Sequence, residues 1–197
     1  MRKQLKFGST FVTSLAILTL GLMLPVFAAS QTETIDATAR GTSTQMGTIR
    51  NIKIVITDYS TPEDKQALID AFKKGQSQGL YDALSKMKPV GQIQMPGTVG
   101  YGLAYISSET TPTGRTIRFI TNRKIAFGEA YANTQSQAYD LTAGKIDIDD
   151  KDPKKSAGTL FPATQLVVNN EGQLQWELRK NPFNLTNIID WNKGKEK

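Results

Sequence analysis

Asp147-Ile148-Asp149-Asp150-Lys151-Asp152 is the densest run of potential ligand groups in the chain. Closely spaced carboxylates of this kind are what a hard cation such as calcium requires, so Asp147, Asp149, Asp150 and Asp152 are the candidate metal ligands. The spacing argues against them. Counted from Asp147, Lys151 stands fifth, and Asp152 stands sixth, where a calcium loop of the helix–loop–helix type needs glycine. Lys151, Lys154 and Lys155 also oppose the field a cation would seek, and a solvated loop accounts for the run better.

The chain contains neither histidine nor cysteine. Dedicated zinc and copper sites are built mostly from imidazole and thiolate, and Ser-His-Asp and Cys-His catalysis need a base or nucleophile this chain lacks. Two motifs lose their force on that ground or on context. Gly75-Gln76-Ser77-Gln78-Gly79 matches the nucleophile elbow in letters, but it follows a helical pattern instead of a strand and has no histidine base. Ser85-Lys86-Met87-Lys88 matches S-x-x-K, yet no K-T-G follows, and lysines at a helix end are accounted for by the helix dipole.

Two-carboxylate chemistry of the glycosidase kind needs no histidine. Glu109, Glu129, Asp140, Glu171 and Glu177 are available, but no spacing singles out a pair. Glu129 stands out because Phe127 and Tyr131 flank it on one strand face, where burial would raise its pKa. Together with Tyr101 and Tyr105, these three form the candidate ligand-binding set: Tyr101, Tyr105, Phe127, Glu129 and Tyr131. Ordinary core packing is the competing use for most aromatics, Phe119 included.

The elements that must position these residues are mostly strands. Ile52, Ile54 and Ile56 alternate with Lys53 and Thr57, a period-two pattern that predicts a strand over 48–59. Thr61-Pro62-Glu63-Asp64 then opens a helix: Thr61 caps, Pro62 suits the first turn, and the acids favour the positive end of the dipole. Gly75 is placed to end it. A second helix over 77–87 stops before Pro89, so the two would form an αα-hairpin. Further strands are expected over 90–95, 101–107, 115–121, 125–132, 138–141, 145–148, 165–169 and 173–179, with turns at Thr142-Ala143-Gly144 and Asn170-Glu171-Gly172. Gly100, Gly102 and Ala104 give one strand a face of small residues over which the helical pair or the Trp176 strand could lie. The fold class expected is α+β: mainly an antiparallel sheet, able to roll into a partial barrel, with one inserted helical hairpin.

The first residues supply a compartment. Arg2, Lys3 and Lys6 precede an apolar run over 11–24, Pro25 breaks it, and Val26-Phe27-Ala28 offers a small-residue cleavage site. The run is about 14 residues, short of the ~20 a permanent membrane helix needs. Residues 1–28 therefore read as a secretion signal, 29–47 as a flexible Thr/Ser/Gly leader, and 48–197 as a single α+β domain. The chain carries 24 basic and 18 acidic residues; without the three basic residues of the signal the balance is 21 against 18, or +3. Half of the net charge is thus an export device, and nucleic-acid binding does not follow from the basicity.

Asp58 to Asp64, Asp140 to Gly144, Asp147 to Asp152 and Asn187-Ile188-Ile189-Asp190-Trp191 resemble segments of a family of uncharacterised exported bacterial proteins. The resemblance implies export, and since that family has no established activity it carries over no functional residue. The expectation is a periplasmic or secreted, non-catalytic module without a cofactor or permanent membrane span. It would meet signal peptidase in transit and then bind a small apolar ligand or an envelope protein. The alternatives are a carboxylate-based glycan hydrolase and an assembly protein that pairs through an exposed strand edge.

Overall fold

The computed structural model describes residues 32–123, 141–168, 170, 172, 174–178 and 180–192. These form β1 (Glu33–Gly41), β2 (Ile49–Ile56), the helix α1 (Pro62–Lys86), β3 (Gly91–Gln94), β4 (Tyr101–Leu103) and β5 (Tyr105–Thr111). After them come β6 (Gly114–Thr121), β7 (Leu141–Asp149), β8 (Ala157–Val168), β9 (Leu174–Leu178) and β10 (Phe183–Asp190). Every strand pairing is antiparallel, in the order β4-β3-β2-β1-β10-β8-β7-β6-β5, with β9 added to β8. β4 and β5 are one extended stretch interrupted at Ala104. The first half pairs with β3 and the second with β6, so the same stretch stands at both ends of the order and the sheet comes nearly full circle. The Thr121 hydroxyl donates to the Gly102 carbonyl (2.7 Å) where the two ends meet.

Alternation sorts the side chains. Ile35, Ile52, Ile54, Ile93, Ile106 and Ile117 are almost fully buried and meet inside the barrel with Phe119, Ile146, Leu160, Phe183 and Leu185. An eight-strand circumference encloses about the space such side chains fill. Gly144 shows how tightly. It lies directly opposite Phe119 across β6 and β7, and a Cβ placed on it would come within 2.1 Å of the Phe119 ring.

The first and last strands of the chain meet where β1 pairs with β10. Asp36 pairs with Ile189 and Thr38 with Thr186, so two residues of β10 stand opposite one of β1. This bulge is accommodated by Asn187 at φ +50°, the left-handed region asparagine tolerates better than most. The extra residue shifts the phase: Phe183 and Leu185 point inward before it, Ile188 and Asp190 after it.

Helix α1 begins as its sequence requires. The Thr61 hydroxyl accepts from the Asp64 amide, and the Asp64 carboxylate accepts from the Thr61 amide, a complete capping box. The helix is broken at Gln76 (φ 52°, ψ −142°), one residue past the expected stop. The turn there is sharp enough that a Cβ on Gly79 would lie 2.3 Å from the Ala71 carbonyl oxygen. Both arms present Leu68, Phe72, Leu80 and Leu84 to the outside of the barrel, against Ala104, Leu141 and Trp176. The small face expected at 100–104 is covered accordingly, Ala104 by the helix and Gly102 by Pro89.

Two expectations are corrected. Glu33–Gly41 is an interior-facing barrel strand, not part of a flexible leader; its Thr and Asp residues form the outward half of a period-two pattern whose inward half is Ile35, Ala37 and Ala39. Thr142-Ala143-Gly144 is no turn but lies within β7, where the glycine makes room for Phe119. Phe183–Asp190, for which the sequence predicts no element, is the strand that pairs with β1 and β8. The signal segment 1–28, the strand over 125–132, and Phe127, Glu129 and Tyr131 lie outside the described residues.

Gly144→Ala should destabilise the protein by about 1–3 kcal/mol through overpacking, and the added change Phe119→Leu should recover much of the loss. Urea unfolding of the two single variants and the double variant measures the coupling; strictly additive effects would contradict the packing described.

Candidate functional site

Register arranges the outer wall of the barrel in rows. Tyr105, Ile120, Ala143 and Phe161 are successive cross-strand partners on β5, β6, β7 and β8, and they make an apolar row. Two residues further along each strand, Ser107, Arg118, Lys145 and Thr159 make a polar row with two cations side by side. Beyond it stand Glu109, Thr116, Asp147 and Ala157. Arg118 donates to Glu109 (2.6 Å), and Lys145 pairs with Asp147 (2.8 Å). The Asp147 carboxyl is held below the usual range: partial burial opposes this, but hydrogen bonds from Lys145 and Thr116 outweigh it.

α1 does not close down on this wall along its whole length. Between them lies a cleft of about 750 Å³, lined by Leu68, Ile69, Phe72 and Leu80 from the helix. Tyr105, Ile120, Phe161, Leu166 and Trp176 line it from the strands. Trp176 stacks on Phe161, ring centroids 6.4 Å apart and planes at 18°, and forms the apolar end of the cleft. Lys65, Lys73, Arg118 and Lys145 line it together with the Glu109 carboxylate.

A second cluster plugs one end of the barrel. One guanidinium nitrogen of Arg115 reaches both Glu33 (2.5 Å) and Asp190 (2.5 Å), and the other donates to Glu33 (3.2 Å). The Glu33 and Asp190 side chains are 8% and 7% exposed, so the two acids are buried around a shared cation. The Tyr59 hydroxyl also donates to Glu33 (2.7 Å). Burial and this bond to a carboxylate push the Tyr59 pKa far above 10.0. Burial alone would lower the Arg115 pKa, but the carboxylates outweigh it and leave it raised. This arrangement orders a barrel end. Its acids are turned to Arg115 and not to a cavity between them.

The candidate residues disperse. Tyr105 lines the cleft, whereas Tyr101 packs against the barrel core cluster, so the two are not brought together. The acidic run is a turn. Asp149 accepts from the amides of Lys151 (2.9 Å) and Asp152 (2.8 Å), the Asp152 amide being the main reason its carboxyl is held low. Asp152 caps the short 3-10 turn Pro153–Lys155, and Asp147 belongs to the β7 wall. Asp150 follows Asp149 in the same turn, its amide donating to Thr113 (2.7 Å). Among the described residues no three acids converge as a metal site would need. Ser85 of the S-x-x-K match donates to the Tyr81 carbonyl and accepts from Asn122. Of the acids weighed for glycan hydrolysis, Glu109 is paired with Arg118, and Glu177 accepts from Gln165 (2.6 Å). Trp176, Phe161 and Phe72 were not among the sequence candidates. In the sequence Phe72 falls at helical spacing from Leu68, and Trp176 alternates with Leu174 and Leu178, but both patterns also describe plain packing.

Tyr59 gives the barrel end a pH dependence with a definite sign. The unfolded chain releases this proton near 10.0 while the folded one retains it, so stability is present below that value and is lost as pH rises above it. Tyr59→Phe should remove this component of the alkaline loss, read from urea midpoints between about pH 8 and 11. An unchanged slope would place the tyrosine outside the network. No family model, curated protein or solved structure matches the chain.

Proposed function

We propose that this chain is an exported, non-catalytic binding protein whose ligand is a small apolar molecule held between α1 and the outer wall of the barrel. The observation that carries the reading is the cleft itself, about 750 Å³ and floored by Leu68, Phe72, Leu80, Ile120, Phe161 and Trp176. Its volume falls within the ~300–1,000 Å³ typical of small-molecule sites, and predominantly apolar walls with a few polar groups are the usual composition. Among the described residues the barrel interior is occupied by its own mostly aliphatic side chains. Against glycan hydrolysis, Glu109 is the sole acid lining the cleft among the described residues, and Glu33 and Asp190 converge on Arg115 elsewhere.

A second reading, pairing with an envelope partner, is favoured by one feature. β9 pairs with β8 on one side and with no other described strand, and Val168 and Leu178 are exposed beside that edge. Export is supported by the position of the first barrel strand. Cleavage after Ala28 would leave β1, which starts at Glu33, entire.

The two tryptophans separate binding from unrelated change, since Trp176 lies in the cleft while Trp191 is 56% exposed. In a Trp191→Phe background, a ligand with an alkyl chain should alter the emission saturably. Trp176→Phe, read by calorimetry, should weaken binding by about tenfold. Failure of a series of alkyl and aromatic compounds to change either signal would remove the reading. For export, mass analysis of the protein recovered from its host should give an N-terminus at or near Ala29; a chain still beginning at Met1 would end that claim.

A further inference from the structure

The cleft is polar at one side and apolar at the other, and the asymmetry specifies more than an apolar ligand. We infer that its occupant is a single-chain amphiphile with an anionic head, the head lying at the Arg118–Lys145 row and the chain running over Ile120 and Phe161 toward Trp176. This rests on the ligand-binding reading above and adds the charge and direction of the ligand.

Three observations support it. First, the groups lining the cleft are unbalanced: Lys65, Lys73, Arg118 and Lys145 face it with one carboxylate, Glu109. Second, Arg118 and Lys145 are direct cross-strand partners. Like charges in that position repel, and the repulsion is normally selected against. Glu109 and Asp147 each offset one of them from the row beyond, yet both pairs stand on exposed side chains, where screening keeps such pairs weak. Third, the helix repeats the theme from the opposite wall. Lys65 and Lys73 are eight residues apart, about 12 Å along the axis, and flank Ile69. Lys73 reaches Asp70 only at 3.8 Å, and Lys65 has no acidic partner among the described residues. An anion entering here gains cations from both walls without displacing a buried pair.

The row spacing fixes the direction. The apolar row Tyr105–Ile120–Ala143–Phe161 lies two residues, about 7 Å, along the strands from the cation row. A carboxylate, sulfate or phosphate head at Arg118 and Lys145 therefore places the first carbons of an alkyl chain over Ile120. The rest of the chain would meet Phe161, Leu166 and Trp176. A cationic head would meet the same walls with the wrong sign, and a short anion would leave the apolar half unused.

The test compares heads on one chain length, using Trp176 emission of the Trp191→Phe protein with decanoate, 1-decanol, decyltrimethylammonium and acetate. Decanoate should bind at least about tenfold more tightly than 1-decanol, with the cation weakest and acetate undetected. The preference should shrink as salt rises. Arg118→Gln with Lys145→Gln should remove the advantage of decanoate while leaving 1-decanol affinity in place. The wild-type comparison stands by itself should that double variant fold poorly. Equal affinity for the three decyl compounds would overturn the anionic head, and a double variant that keeps the preference would overturn its placement at Arg118 and Lys145; either result leaves the apolar-ligand reading intact. Acetate binding as tightly as decanoate would overturn the amphiphile. Binding of none of the four would overturn both readings together.

Discussion

Isoleucines at 35, 52, 54, 93, 106, 117 and 146 fill the barrel from wall to wall, and that filling decides where an apolar surface can be left for anything else. A barrel of this circumference with smaller inward residues could hold a guest at its centre; one packed with branched side chains cannot. The apolar area not consumed by the core is therefore on the outer wall of β5 to β8, and it is kept from water by α1. The helix is able to cover the wall without sealing it because it is broken at Gln76 and lies there as two arms. Cleft, cation row and helix thus follow from one packing decision inside the barrel.

The charged groups divide into two kinds by the same logic. Arg115, Glu33, Asp190 and Tyr59 are inside the barrel at its end, where an unpaired charge would be costly, and each is bonded to another member of the group. The bulge at Asn187 is what turns Asp190 inward to join them. Arg118 and Lys145 are outside, and their pairs with Glu109 and Asp147 are exposed. Groups of the first kind hold the fold together. Groups of the second kind are those the proposed ligand would meet.

Much of the fold was legible wherever a local rule had no competitor. The capping box at Thr61, the isoleucine alternation of β2 and the pattern of β6 all appear where their residues predict them. β1 and β10 were not legible, because Thr, Asp and Asn dominate their outward positions and hide the inward alternation of Ile35, Ala37 and Ala39 or Phe183 and Leu185. Composition argues for a loop there, and pairing across the whole length of the chain overrides it. The site was less legible still. Tyr105 was found, but Tyr101 points into the core, and the cation row exists only through the register of β6 against β7. No reading of spacing along the chain can place Arg118 opposite Lys145.

The seam between β1 and β10 also sets a timetable. Its partners stand nearly 150 residues apart, as in the Thr186 contact with Thr38. Contacts of such sequence separation form slowly, because most of the chain must be ordered before they repay the loop they close. The first barrel strand must therefore wait for the last one, and until the C-terminal residues have emerged the hoop stays open. Under the proposed export, with the chain threaded N-terminus first through a narrow translocation pore, that delay would keep it slack for the whole of its passage.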